Sequence, residues 1–198
     1  MKPLPLLFFR RPAEVVARDL LGATIVSDLG GCRTSGMIIE TEAYLGVDDP
    51  ASHAYRGRRH ARNESLYGPP GSWYVYRAYG IHWCANLVCD GPGPGGAVLL
   101  RAMLPAEGVA TMRRRRGGVR DRDLGNGPGK LCQALSISNA LDGRPMRDSA
   151  VLMVGATRET HAVQVTARIG ITKAAEWPLR FLIEPAGPPP AGLPRDAS

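Results

Sequence analysis

The sequence predicts a mixed α+β domain built on an antiparallel sheet, and three observations carry that reading. Short segments rich in β-branched and aromatic residues alternate with a period of two. A few other stretches open with Pro and close at Gly, as helices do. The 24 Gly and 17 Pro make up about a fifth of the 198 residues, so the elements are joined by many turns. At this length, with 44% hydrophobic residues, one domain over 1–185 can bury a core without a disulfide or metal staple. The expected architecture is a curved antiparallel sheet with flanking helices and a protruding β-hairpin. A Pro-rich tail at 186–198, expected to be disordered, follows it.

Taken in order, Pro12 to Leu21 reads as a helix stopped by Gly22, and Ala23 to Asp28 as a short strand closed by Gly30-Gly31. Gly36 to Tyr44 (GMIIETEAY) alternates and predicts a strand. Its period places Glu40, Glu42 and Tyr44 on one face and Ile39, Thr41 and Ala43 on the other. Residues 45–71 have no clear period and are rich in Arg, Gly and Pro, which predicts a long ordered loop of the kind that usually carries function. Ser72 to Cys89 predicts two strands around a turn at Tyr79-Gly80-Ile81, and Ala97 to Met103 a further strand. Pro105 to about Arg116 reads as a helix with Pro in its first turn, ending in the basic run Arg113 to Arg116. Pro128 to about Leu135 is a second short helix, and weaker strands follow at 150–154, 162–169 and 179–184.

The formal net charge is +7, and only three of the 25 basic residues are Lys. Between Ala51 and Arg122, 12 Arg stand against four acids, while the rest of the chain is close to neutral. A focused basic segment predicts a polyanionic partner, nucleic acid first and a membrane surface second; the alternative is a solvated face with no partner. The four Cys (Cys32, Cys84, Cys89, Cys132) have no CxxC or zinc-knuckle spacing, and three lie in apolar runs where free thiols pack. Leu4 to Phe9 is too short and too Pro-broken for a signal peptide. No run approaches the roughly 18 apolar residues of a membrane span. The expected location is the reduced cytoplasm, in association with the nucleoid.

Two nucleotide-binding patterns fail on inspection. Gly91, Gly93 and Gly96 fit GxGxxG, but Pro92 and Pro94 interrupt it and a strand follows where a helix is required. GNGPGK (Gly125 to Lys130) has Leu124 in the place of a P-loop's first Gly and Leu131 in that of its magnesium-binding hydroxyl.

The aromatic distribution is more telling. All six Tyr and two of the three Trp fall within residues 44–83, beside Arg56, Arg58, Arg59, Arg62 and Arg77. That suits a surface that stacks bases while cations hold phosphates, with ordinary sheet packing as the alternative. The apolar hairpin tip Tyr79-Gly80-Ile81 suits a wedge between base pairs, or a contact with another loop. Glu40 and Glu42 stand in an otherwise apolar strand, where a carboxylate is ion-paired, exposed at an edge, or shifted in pKa as a general base beside Tyr44.

Four blocks carry a family resemblance: IIETEAYLGVDDPASHAYRGR, RNESLYGPPGSWYVYRAYGIHWCANLV, AVLLRAMLPAEGVATMRRRRG and LGNGPGKLCQAL. They follow one another as in the alkyladenine (3-methyladenine) DNA glycosylases, and the chain resembles that family from about Ala17 to Leu141, more weakly to about Pro185. The resemblance implies a domain that binds damaged duplex DNA through the minor groove, inserts the hairpin, flips an alkylated or deaminated purine into a pocket and hydrolyses its glycosidic bond. The implied substrates include 3-methyladenine, 7-methylguanine, hypoxanthine and ethenoadenine.

Carried over block by block, the resemblance implies that Glu42 is the general base and that Arg101 contacts the DNA backbone and helps hold the water. Tyr44 forms one wall of the base sandwich, and His53 and Tyr76 the other, with the His53 main-chain amide reading the base edge. Asn86 screens against the exocyclic amine of guanine, and Tyr79 fills the space left by the flipped nucleotide. Lys130 lies where the family contacts DNA, and Arg58 and Arg62 belong to the basic cluster expected to hold phosphates. One stretch departs from the family pattern: after HAYRG the chain continues Arg58-Arg59-His60-Ala61, which bears on the pocket mouth and so on substrate range.

No cofactor and no metal are expected, and none of the three Lys lies where an amine nucleophile would act. The expected enzyme is therefore monofunctional, a monomer that leaves an intact abasic site. The competing class is a non-catalytic module for damaged DNA or structured RNA using the same basic, aromatic surface, and an RNA-modifying enzyme is a further alternative.

Overall fold

A computed structural model describes residues 2–91, 93–155 and 162–184; the tail expected at 186–198 lies outside the described residues. The chain opens with two short helices, Leu6–Phe9 (α1) and Ala13–Asp19 (α2). In α2 the Pro12 carbonyl accepts from the Val16 N–H at 3.0 Å, and Val16 and Ala17 face inward. Eight strands then form one antiparallel sheet: Thr24–Ser27 (β1), Thr34–Tyr44 (β2), Trp73–Ala78 (β3), His82–Cys89 (β4), Gly96–Glu107 (β5), Val151–Val154 (β6), Val163–Thr166 (β7) and Arg180–Ile183 (β8). The order is β3-β4-β5-β2-β1-β6, and the sheet forks at β2, whose second half pairs with β8 while β8 carries β7.

Period-two alternation divides this sheet into two chemical faces. Trp73, Val75, Ala85, Leu87, Val98 and Leu100 pack into the main core with α2 and with the helix Pro128–Leu135 (α4). The residues between them point the other way. On that second face one register row runs across six strands: Tyr74, Asn86, Leu99, Glu42, Arg180 and Thr166 are successive cross-strand partners.

The long loop at 45–71 contains three 3₁₀ turns and packs Ala54 and Leu66 against Tyr74, Val88 and Ala97 of this face. Gly46 (φ 76°) fixes its approach: an added Cβ would lie 1.9 Å from the Pro94 carbonyl oxygen, which also accepts from the Val47 N–H at 3.0 Å. Gly46→Ala is expected to cost about 2 kcal/mol or more, lowering the melting temperature by at least about 4 °C. An unchanged melting temperature would remove Gly46 as the anchor of this loop.

Two expectations need correction. The helix expected from Pro105 starts later, at Val109–Arg115 (α3), after Gly108 with φ 72°. β5 instead continues through Pro105, which pairs with Gly36 beside a register shift. β4 pairs only with Gly96–Leu99, so this stretch of β5 has β2 as its one strand neighbour among the described residues, an edge position where a residue without an N–H is tolerated. The simple alternation of β2 is also interrupted, because Ile39 and Arg101 are each skipped at successive bulges in the β2–β5 ladder. Beyond the bulge the expected faces hold, with Thr41 and Ala43 buried toward α2 and Glu42 and Tyr44 turned away from it.

The hairpin β3–β4 turns where the sequence places it. Tyr79 (φ 51°) and Gly80 (φ 70°) both take left-handed conformations, and the Ile81 N–H closes the turn on the Ala78 carbonyl at 3.0 Å. Tyr79 is 87% and Ile81 65% exposed. The Tyr79 hydroxyl reaches the Gly170 carbonyl at 3.4 Å.

Candidate active site

The second face of the sheet and the 45–71 loop enclose a cavity of about 490 Å³. Strand parity supplies most of its walls: Tyr74 and Tyr76 from β3, Cys84 and Asn86 from β4, and Ala97, Leu99 and Arg101 from β5. Tyr44 enters from the end of β2 and His53 from the loop, while Tyr79 stands at the rim and Ile169–Ile171 close the far side.

Three rings form one side. His53 meets Tyr76 edge-on with centroids 4.6 Å apart, its Nδ1 lies 2.7 Å from the Tyr74 hydroxyl, and Tyr74 and Tyr76 stack at 5.3 Å. Packing against these rings desolvates the imidazole and pushes the His53 pKa down, with His60 adding to the shift, although the residue as a whole keeps an exposed surface. Asn86 is fixed by donating its side-chain N–H to the Tyr74 carbonyl at 3.0 Å.

Glu42 lies one layer behind the opposite wall, with no exposed surface. Its Oε1 accepts from the Ile169 N–H at 2.8 Å, and its Oε2 accepts from the Tyr44 hydroxyl at 3.0 Å and sits 3.3 Å from Arg101 Nη1. Those three partners all line the cavity. Burial pushes the Glu42 carboxyl above the usual carboxylate range; Arg101, the Ile169 N–H and Tyr44 pull it back, and Glu40 adds to the rise. Burial and the Glu42 charge likewise push the Tyr44 hydroxyl up, so it stays a donor. Chemically this is a cleft with aromatic sides and one buried carboxylate behind it. Among the described residues no group of three or more His, Cys, Asp or Glu gathers to hold a metal ion.

Of the residues singled out in the sequence, Tyr44, His53, Tyr76, Tyr79, Asn86 and Arg101 line one cavity, with Glu42 behind them. Arg58 and Arg62 lie outside that lining on an exposed loop, where Asn63 donates to the His53 and Arg58 carbonyls. The divergent residues 58–61 are absent from the lining among the described residues. Lys130 is exposed on α4 and donates to Asn126, while its neighbour Pro128 reaches the cavity. The later part of the basic segment is engaged within the protein: Arg113 pairs with Asp121, Arg116 with Gln133, and Arg115 donates to the Leu29 and Ala134 carbonyls.

The sequence reading missed an ion pair that ties the site together. Arg168 and Asp49 are both fully buried, with Nη1–Oδ2 at 2.5 Å and Nη2–Oδ1 at 2.9 Å. Arg168 also donates to the Ala43 carbonyl at 3.0 Å, and its guanidinium lies 4.7 Å from the centroid of the Tyr44 ring. Asp49 accepts from the Leu45 and Ala51 N–H groups. One pair thus joins the end of β2, the loop carrying His53, and the segment whose Ile169 holds Glu42. A signal existed, because a charge inside the β-rich run AVQVTARIGI demands a partner as much as Glu42 does.

Residues 7–186 match the family described as methylpurine-DNA glycosylase (MPG). The chain is 50% identical over 177 residues to a protein of Granulibacter bethesdensis, covering 88% of this chain and 81% of the relative. Similarity to a protein of Nitrobacter winogradskyi is 48% over 180 residues (91% and 83%), and to one of Agrobacterium fabrum 46% over 181 residues (91% and 89%). All three bear the name "Putative 3-methyladenine DNA glycosylase".

Proposed function

The chain belongs to the methylpurine-DNA glycosylase family, and from that premise we propose that it flips alkylated or deaminated purines out of duplex DNA and hydrolyses their N-glycosidic bond. The observation that carries this reading is Glu42, a buried carboxylate of raised pKa held behind an aromatic-sided cleft. Such a group can orient and deprotonate a water once one of the partners that screens it from the cleft gives way.

In this reading the purine enters between Tyr44 on one side and His53 and Tyr76 on the other, and the His53 main-chain amide reads its edge. Asn86 screens against the exocyclic amine of guanine, so unmodified guanine with its stable glycosidic bond is left in place, while cationic 7-methylguanine, with its weakened bond, can still be released. Tyr79, exposed on a rigid turn, fills the gap in the duplex, and Arg58, Arg62 and Lys130 hold phosphates. Alkylation at N3 or N7 makes the purine cationic, so the base leaves without a proton and one carboxylate suffices. The Glu42 anion stabilises the oxocarbenium-like sugar, and Arg101 contacts the backbone and helps hold the water. Neutral lesions such as hypoxanthine need an added proton at the leaving base.

The test is single-turnover release of hypoxanthine, and of methylated purines, from duplex oligonucleotides. Release that leaves an abasic site, with no enzyme–DNA adduct trapped by borohydride, is the expected result. A trapped adduct would point to an amine nucleophile and overturn the monofunctional mechanism. Tight lesion binding without release would leave a damage-binding protein.

A further inference from the structure

Glu40 is the carboxylate for which the proposed hydrolysis has no task. It sits two residues before Glu42, and its Oε1 accepts from two guanidinium groups, Arg101 Nε at 2.9 Å and Arg180 Nε at 2.6 Å. Arg101 reaches onward to Glu42, and Arg180 is braced by donating to Thr166 Oγ1 at 3.0 Å. The result is a chain of alternating charges, Arg180, Glu40, Arg101 and Glu42, laid across β8, β2 and β5. Glu42 is the fully buried end of it, and the other three side chains keep 13–19% of their surface exposed.

Arg101 gives Glu40 its Nε at 2.9 Å and Glu42 an Nη1 contact at 3.3 Å, and a negative charge on Glu40 itself repels one on Glu42. An Arg101 devoted to Glu42 would hold it firmly as an anion, which makes a poor base. Glu40 opposes that hold through its own negative charge and by taking the shorter Arg101 contact, and Arg180 limits the opposition by partly neutralising Glu40. We infer that Glu40 and Arg180 are positioning residues that set the basicity of Glu42 in opposite directions by dividing Arg101 between two carboxylates. The other groups facing Glu42 leave this division in control. The Tyr44 hydroxyl of β2, the Cys84 thiol of β4 and the Ile169 N–H are neutral, and Arg168 is matched by Asp49.

This inference rests on Glu42 being the base of the proposed reaction. Its test is the pH dependence of single-turnover release of 7-methylguanine from methylated duplex DNA. That base is already cationic, so the acid limb reports deprotonation of Glu42 alone. Glu40→Gln removes a like charge near Glu42 and is expected to move the midpoint of the acid limb down by about one pH unit. Arg180→Gln leaves Glu40 with Arg101 alone of its two guanidinium partners and removes a positive charge near Glu42, and is expected to move it up by about half a unit to one unit. A purely structural role would lower the whole profile without moving the midpoint, and would not shift it in opposite directions. Each variant is read on its own, so either one that folds decides. Midpoints superposed on the wild type, or displaced in the same direction, overturn the inference. A wild type that releases no base from this substrate would instead sink the hydrolytic reading itself.

Discussion

Glu42→Gln is expected to slow single-turnover release of hypoxanthine by about a thousandfold while lesion binding persists. Gln has the shape of Glu and can still accept from the Ile169 N–H or the Tyr44 hydroxyl, so the cleft is preserved. What it lacks is a site to take the proton from water, and the negative charge that steadies an oxocarbenium-like sugar. The same change bears on stability, with a sign that follows from linkage. The folded pKa of Glu42 is raised above its unfolded value by burial, so its contribution is fully present below the unfolded pKa. It is lost as the pH rises through the folded pKa, and at neutral pH the buried anion is a burden. Glu42→Gln should therefore melt at the same or a higher temperature than the wild type at pH 7, with the gap closing in acid. A variant that excises at the wild-type rate would remove Glu42 from the chemistry, and one that no longer binds the lesion would make its role structural.

Breaking the Arg168–Asp49 pair is expected to have the largest effect on folding. Arg168→Met leaves the Asp49 carboxylate buried without its cation, a change that costs about 3–5 kcal/mol and lowers the melting temperature by on the order of 10 °C. Asp49→Asn is milder, because it still accepts one hydrogen bond but leaves Arg168 uncompensated. The double variant should recover part of the loss, giving a coupling energy of at least about 1 kcal/mol. Excision should fall in all three, since Tyr44, the His53 loop and the Ile169 N–H lose their common anchor. Additive melting shifts, with coupling below about 0.5 kcal/mol, would mean the two charges stand near each other without acting together.

What could be read from the sequence follows the range over which each physical rule operates. Alternation is local, so the strands and the shared face of Glu42 and Tyr44 are legible, and so is the turn at Tyr79-Gly80. Arg101 shares the parity of Ala97 and Leu99, yet it stands out only through the family resemblance, and its pairing with Glu42 only in the structure. Pro105 was misread because Pro near a helical pattern and Pro on an unflanked strand look alike until the neighbouring strands are known. Within the basic segment, Arg115 donates to carbonyls of two distant segments, a use that a charge count does not show. Asp49 and Arg168 lie 119 residues apart, and no local rule joins them.

The register row Tyr74–Asn86–Leu99–Glu42–Arg180–Thr166 restricts how this protein can be altered. Because successive residues of a strand face opposite ways, deleting one residue from β5 would turn Leu100 into the cleft and send Arg101 into the core. The strands can therefore tolerate exchange of side chains but not changes of length. New lesion preferences are best sought by inserting or trimming residues in the 45–71 loop and in the segment around Ile169, where the backbone can move without carrying Glu42 with it.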